Sequence, residues 1–293
     1  MQPKASLFDE AAGVVADNLD KALSLVLEKQ FASLTLQEAM QYAALNGGKR
    51  FRPLLIMASG ALFDVSFETL LPAATAVELI HAYSLVHDDL PAMDNADTRR
   101  GKPSCWHKYD EATAILVGDG LLTLAFEVIS SSSLPPSIAL ELVTKLAKAS
   151  GPSGMVAGQM LDIRQDHNND LNLITTLQRL KTGDLIAFCC EAGAIMADQN
   201  PFIKKQFKEV GYKTGLIYQM VDDLLDKKGE AHVLGKPSQN DNNKITLVDK
   251  MDEERFFQKI HLLKQEISEA LASFGAKADL FKEILEWSIT RAF

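Results

Sequence analysis

Asp88, Asp89 and Asp94 close one apolar stretch of the sequence, and Asp222, Asp223 and Asp226 close another. Neighbouring carboxylates in such surroundings repel one another and resist burial, at a cost on the order of several kcal/mol unless a cation or water compensates. A hard divalent cation suits them: Mg²⁺ takes a few carboxylates, phosphate oxygens from a substrate, and retained waters. An isolated Asp-Asp pair is by default a solvated helix end, and the apolar context argues against that here.

The spacing within each cluster adds geometry. Asp94 lies six positions after Asp88, about 240° around an ideal helix, so the two share a face only if the helix stops between them. Pro91 supplies that stop by removing a backbone donor, which lets the following turn swing Asp94 back toward Asp88. His81, seven positions before Asp88, falls on nearly the same face. Asp222 and Asp226 differ by roughly 40° and can serve one cation or two adjacent ones. Aspartates at a helix C-terminus oppose its dipole, and a bound cation reverses that penalty. Two such helices facing each other across a cavity could hold a diphosphate through bridging Mg²⁺, the ions neutralising charge as the diphosphate departs.

Positive charge is concentrated in two loops marked by glycine and proline: Gly47-Gly48-Lys49-Arg50-Phe51-Arg52-Pro53 and Asp97-Thr98-Arg99-Arg100-Gly101-Lys102-Pro103. Guanidinium forks and a lysine ammonium suit a second diphosphate bound without metal. Lys181-Thr182, Lys236 and Lys244 are further candidates.

The elements that must position these groups read as helices throughout. Apolar residues recur at helical spacing, and alternating runs between tight turns are missing, so the expected fold is all-α with no need of strands. Helices are expected at about 5–30, 35–46, 52–63, 67–90, 109–130, 136–149, 171–198, 202–227, 245–273 and 277–290, with a shorter one near 153–165. No long linker or fixed-period repeat interrupts residues 1–293, so a single domain, one large bundle around a deep central cavity, is expected.

Composition narrows the function. The net charge of -9 opposes a nucleic-acid partner. Three cysteines, two of them adjacent, offer neither a disulfide framework nor a tetrahedral metal site, which suggests a reducing cytoplasm. No secretory signal is evident, and the run 185–197, interrupted by Glu191, is short for a bilayer span.

These motifs, in this order, resemble the trans-prenyl diphosphate synthases, and among them most nearly the bacterial farnesyl diphosphate synthases. The resemblance rests on the Gly48 to Pro53 loop, the two aspartate clusters, Arg99 to Pro103, Gly158-Gln159-Met160-Leu161-Asp162, Lys181-Thr182-Gly183 and Gln219. It implies the isoprenoid synthase fold and a head-to-tail prenyltransferase that joins isopentenyl diphosphate to dimethylallyl and geranyl diphosphates. Mg²⁺ is the implied cofactor, three ions with bound diphosphate, with Mn²⁺ able to substitute. Asp88, Asp94 and Asp222 are its implied ligands, supported by Asp89, Asp223 and Asp226. Arg99, Lys181, Lys236 and Lys244 would complete the allylic diphosphate site, and Lys49, Arg52, His81 and Arg100 would bind isopentenyl diphosphate. Thr182, Gln219 and the Lys181 carbonyl would shield the allylic cation. A cytoplasmic homodimer is implied as well.

Product length is assigned to Tyr83, which resembles the bulky floor residue of the fifteen-carbon enzymes, although a helical wheel puts Ser84 directly beneath Asp88. Asn95-Ala96 and the loop 237–243 depart from the usual pattern. A geranylgeranyl diphosphate synthase or a class I terpene cyclase would share much of this text, though a cyclase needs no basic second site. A carboxylate-bridged di-iron bundle would use Glu78-x-x-His81, but a second such motif is missing. A silent partner subunit would have lost one aspartate cluster.

Overall fold

Helix starts in this chain are written as polar caps. Ser6, Ser33, Ser66, Asp110, Asp170 and Asp252 each accept a backbone N–H from the first turn of the helix that follows. The computed structural model describes residues 6–29, 31–164, 170–227 and 246–291. In chain order the helices are α1 (Leu7–Leu27), α2 (Leu34–Ala44), α3 (Phe51–Ala61), α4 (Phe67–Asp88), α5 (Cys105–Lys108), α6 (Glu111–Ser130), α7 (Pro136–Ser150), α8 (Met155–Arg164), α9 (Leu171–Gln178), α10 (Asp184–Met196), α11 (Pro201–Lys227), α12 (Glu253–Leu271) and α13 (Asp279–Thr290). The all-α expectation holds.

Four local departures have physical reasons. Thr98–Arg99 (β1) and Lys102–Pro103 (β2) pair antiparallel, Thr98 opposite Pro103 and Arg99 opposite Lys102. Arg100 and Gly101, at φ 54° and 74°, form the tight turn between them; strands of two residues are too short to leave an alternation in the sequence. The helix expected at 109–130 begins only at Glu111, because Asp110 caps it, and the short α5 precedes it. The helix expected at 171–198 is broken by a π-helical turn over Arg179–Gly183. The helix expected from 245 starts at Glu253, after a separate 3₁₀ turn at Val248–Lys250.

All 13 residues of α10 are buried, as a helix apolar on every side requires. It packs against α3, α4, α7 and α11, while α4 packs against α3 and α6. The α3–α10 crossing is set by glycine: a Cβ on Gly193 would lie 2.4 Å from the Gly60 backbone nitrogen. α4 and α6 are long and apolar enough to cross a bilayer by length and composition, but 67% of the α4 window is buried within the fold. α4 and α11 thus deliver their acidic C-terminal ends from the hydrophobic core.

Candidate active site

Where α4 ends, the chain doubles back. The Asp94 amide donates to the Asp88 carbonyl at 2.9 Å, the return that a helix stopped near Pro91 permits. Asp88 is half-buried and Asp94 exposed. Burial pushes the Asp88 carboxyl up to about 6, with Asp94 and Asp89 adding to the rise against Lys181 and Arg99. Asp89 is committed to another partner. It is 2% exposed and accepts Arg99 Nε at 3.0 Å and a second, shorter bond from Arg99 Nη2.

The second cluster divides in the same manner. Asp222 accepts Arg291 Nη1 at 2.7 Å. Asp223, buried, accepts Gln178 Nε2 at 2.7 Å and Gln219 Nε2 at 2.8 Å. Burial pushes the Asp223 carboxyl up to about 7, with the charge of Asp222 adding and the two amide bonds opposing. Asp226 lies one turn on, half-buried. The resemblance implies supporting places around the metal for Asp89 and Asp223; in the fold their oxygens accept from Arg99 and from two amides respectively.

The π-helical turn joins the two clusters. Extra-wide turns of this kind free backbone groups from the helical ladder and recur at functional sites. Lys181 Nζ bonds Asp162 at 2.7 Å; burial disfavours its charge, but Asp88, Asp162 and Asp94 outweigh that and raise its pKa. Thr182 Oγ1 donates to Gln219 Oε1 at 2.9 Å. One side of the turn therefore faces the end of α4 and the other the end of α11. Gly158 lets α8 approach, since a Cβ there would lie 2.2 Å from the Lys181 nitrogen.

A second, cationic pocket forms around His81. Burial and then the charges of Arg52, Arg100, Arg99 and Arg50 hold its imidazole well below the ordinary histidine range, so it stands neutral among guanidiniums. Arg52 Nε is buried without a hydrogen-bond partner among the described residues. Arg100 packs on Gly48 and donates to the Gly47 carbonyl. Lys49 lies 5.4 Å from the Trp287 ring centroid, and burial and then Arg291 lower its pKa against the pull of Asp222. Arg50 is different. It is buried against Glu78 at 2.6 Å and Asp20 at 2.7 Å, a structural counter-ion.

The donor set fits Mg²⁺. Among the described residues no three His, Cys, Asp or Glu side chains converge on one point; an ion held here would complete its shell with phosphate oxygens and water. Asp88, its carboxyl pushed up by burial and without a side-chain hydrogen bond among the described residues, is a group that a cation would stabilise. The same geometry opposes the di-iron alternative, because Glu78 is committed to Arg50. Tyr83, 5% exposed, has its phenol pushed up to about 12 by burial and then by the Asp88 charge, whereas Ser84 spends its hydroxyl on the His81 carbonyl at 2.9 Å. Lys236 and Lys244 lie outside the described residues.

Sequence reasoning missed Arg291 and Gln178. Arg291 sits far from every charged motif, and Gln178, although three residues before Lys181, is marked by nothing in its local spacing. Asp162 was visible as part of a motif, but its ion pair with Lys181 was not. Gln159 is a further surprise, with both amide atoms buried and unpartnered among the described residues.

Residues 33–270 match the polyprenyl synthetase family. The chain is 44% identical over 239 residues to the farnesyl diphosphate synthase of Escherichia coli, covering 78% of this chain and 79% of that protein. It is 42% identical over 234 residues to the farnesyl diphosphate synthase of Geobacillus stearothermophilus, with coverages of 78% and 79%. The apo crystal structure of an FPP/GFPP synthase from Zymomonas mobilis superposes with a TM-score of 0.87 at 40% identity, covering 96% of this chain and 98% of that one. With the paired acidic helix ends, the basic loop and these matches pointing one way, the chain belongs to the polyprenyl synthetase family, a prenyltransferase of the isoprenoid synthase fold.

Proposed function

We propose that this enzyme condenses isopentenyl diphosphate with dimethylallyl and then geranyl diphosphate to give farnesyl diphosphate. The observation that carries the reading is the pairing of two unlike anion sites: acidic helix ends on either side of Lys181, and a cationic pocket around a neutral His81. A terpene cyclase has no use for the second.

Asp88 and Asp94 on one side, and Asp222 with Asp226 on the other, would hold Mg²⁺, which when bound neutralises the departing diphosphate. Lys181, held by Asp162, and Arg99, held by Asp89, would orient that diphosphate. Lys49, Arg52 and Arg100 would grip isopentenyl diphosphate, with His81 donating a hydrogen bond from a neutral ring. Thr182, Gln219 and the Lys181 carbonyl would line the allylic cation with oxygen, and the apolar walls would exclude water from it. Tyr83 would form the floor that limits the product to fifteen carbons.

We read residues 1–293 as one unit, in keeping with the continuous hydrophobic core. Ile115 and Leu116, 45% and 58% exposed on α6, support a homodimer through that helix, which light scattering would test. Three free, buried thiols suit a reducing cytoplasm.

The test supplies dimethylallyl or geranyl diphosphate with isopentenyl diphosphate and Mg²⁺, then measures product chains. Fifteen carbons are expected from either starter, turnover should cease with chelator, and Tyr83→Ala should lengthen the product. Chelator-insensitive turnover, or a hydrocarbon released from farnesyl diphosphate alone, would refute the reading.

A further inference from the structure

Four side chains form a line of three hydrogen bonds across the junction of the π-helical turn and α11. Gln178, the last residue of α9, donates Nε2 to Asp223 Oδ2 at 2.7 Å. Gln219, one helical turn before Asp223, donates Nε2 to Asp223 Oδ1 at 2.8 Å. Thr182, four residues after Gln178, donates Oγ1 to Gln219 Oε1 at 2.9 Å. Two residues four apart on one segment thus grip two residues four apart on the other. Gln178 and Asp223 are 7% and 8% exposed, so water competes little with these bonds.

The chemistry of this line of bonds is directional. Both oxygens of Asp223 accept from an amide nitrogen, so each glutamine turns its NH₂ toward Asp223. That leaves the carbonyl end of Gln219 facing Thr182, where one lone pair takes the hydroxyl proton and the other stays open. Neighbouring helix positions point about 100° apart, so Asp223 cannot share the outlook of Asp222. Gln178 Oε1 is buried without a partner among the described residues. A buried acceptor left unpaired costs on the order of 1–3 kcal/mol, and the bond its Nε2 makes to Asp223 is what this orientation secures.

We infer that Asp223 is a positioning residue rather than a metal ligand: with Gln178 it fixes the amide of Gln219 so that oxygen, not nitrogen, faces the reacting allylic group. The inference rests on the prenyltransferase reading above and assigns this carboxylate a different task within it. If the amide turned over, its NH₂ would meet the developing positive charge, and the ionisation step would slow. Binding of the diphosphates, which depends on other residues, would not change.

Asp223→Asn and Gln178→Met are compared with Asp222→Asn. Asparagine can donate as well as accept, so it permits the turned amide; methionine removes one donor at similar size. With the two substrates and Mg²⁺, kcat should fall about 100-fold in Asp223→Asn and about tenfold in Gln178→Met, the scale seen when one preorganised dipole is lost. KM for both substrates should stay within about twofold, since only transition-state contacts are removed. Inorganic pyrophosphate, titrated calorimetrically in Mg²⁺, should bind both variants within about twofold of the unaltered protein and bind Asp222→Asn at least about tenfold more weakly. Circular dichroism checks folding, and Gln178→Met carries the test if Asp223→Asn does not fold. Loss of pyrophosphate binding in Asp223→Asn matching that of Asp222→Asn would make Asp223 a metal ligand and overturn the inference, as would an unchanged kcat. An unaltered protein that fails to join the substrates would instead end the functional reading on which the inference rests.

Discussion

Arg291, just past the last helix, donates Nη1 to Oδ1 of Asp222 at 2.7 Å, so the end of the chain supplies a counter-ion to a candidate metal ligand. The guanidinium is held on three further sides: Nη2 to the Tyr218 carbonyl at 2.9 Å, Nε to the Ser288 carbonyl at 3.0 Å, and its plane 3.8 Å from the centre of the Tyr218 ring. Arg291→Gln should cost about 1–3 kcal/mol in denaturant unfolding without metal, through lost charged hydrogen bonds and ring contact. It should also remove a cation that competes for Asp222. An ion pair near 1 kcal/mol corresponds to roughly a fivefold lower Mg²⁺ concentration at half-maximal pyrophosphate binding. An unchanged or higher requirement would show that the pair does not compete with metal.

Arg50 and Glu78 are buried together, each side chain 3% exposed. Arg50→Met would strand the Glu78 charge and should destabilise the protein by about 3–5 kcal/mol. Adding Glu78→Leu should recover most of the loss, because the desolvated charge is then gone. Urea unfolding of the single and double variants measures the coupling, and additive losses would contradict it.

Gly193→Ala tests the α3–α10 crossing. Alanine favours a helix over glycine by roughly 1 kcal/mol, yet the new methyl would sit 2.4 Å from the Gly60 nitrogen, a backbone atom that cannot turn aside. Separating two core helices should outweigh the propensity gain and leave a net loss of about 2 kcal/mol, or no folded protein. A raised melting temperature would refute the packing argument.

His81 gives a pH dependence with a definite sign. Its pKa is lowered on folding, by burial first and then by Arg52, Arg100, Arg99 and Arg50. Below the ordinary histidine range, near 6.5, the unfolded chain takes up a proton that the folded one refuses, so this contribution to stability falls as pH drops. His81→Gln should flatten the melting-temperature profile between about pH 7 and pH 5. Nitrogen chemical shifts of the ring should report a neutral imidazole through that range, and an imidazolium at pH 6 would sink the claim.

The sequence by itself determined the helical fold, the two acidic helix ends and the doubling back at Asp94, because periodicity, proline and cap residues act within a few positions of one another. It did not foresee the small hairpin at Arg100-Gly101, which is too short to leave a pattern. Nor did it foresee the π-helical turn, whose frame depends on α8 and α11 packing against it. Most of all, composition could not distinguish Asp88 from Asp89 or Asp222 from Asp223. Only tertiary structure did so, since the partners that engage three of these four carboxylates, Arg99 on the hairpin, Gln178 with Gln219, and Arg291 past the last helix, reach them from other elements or another turn. A carboxylate's task follows from which donors surround it once the chain has folded, and the folded arrangement alone decides that.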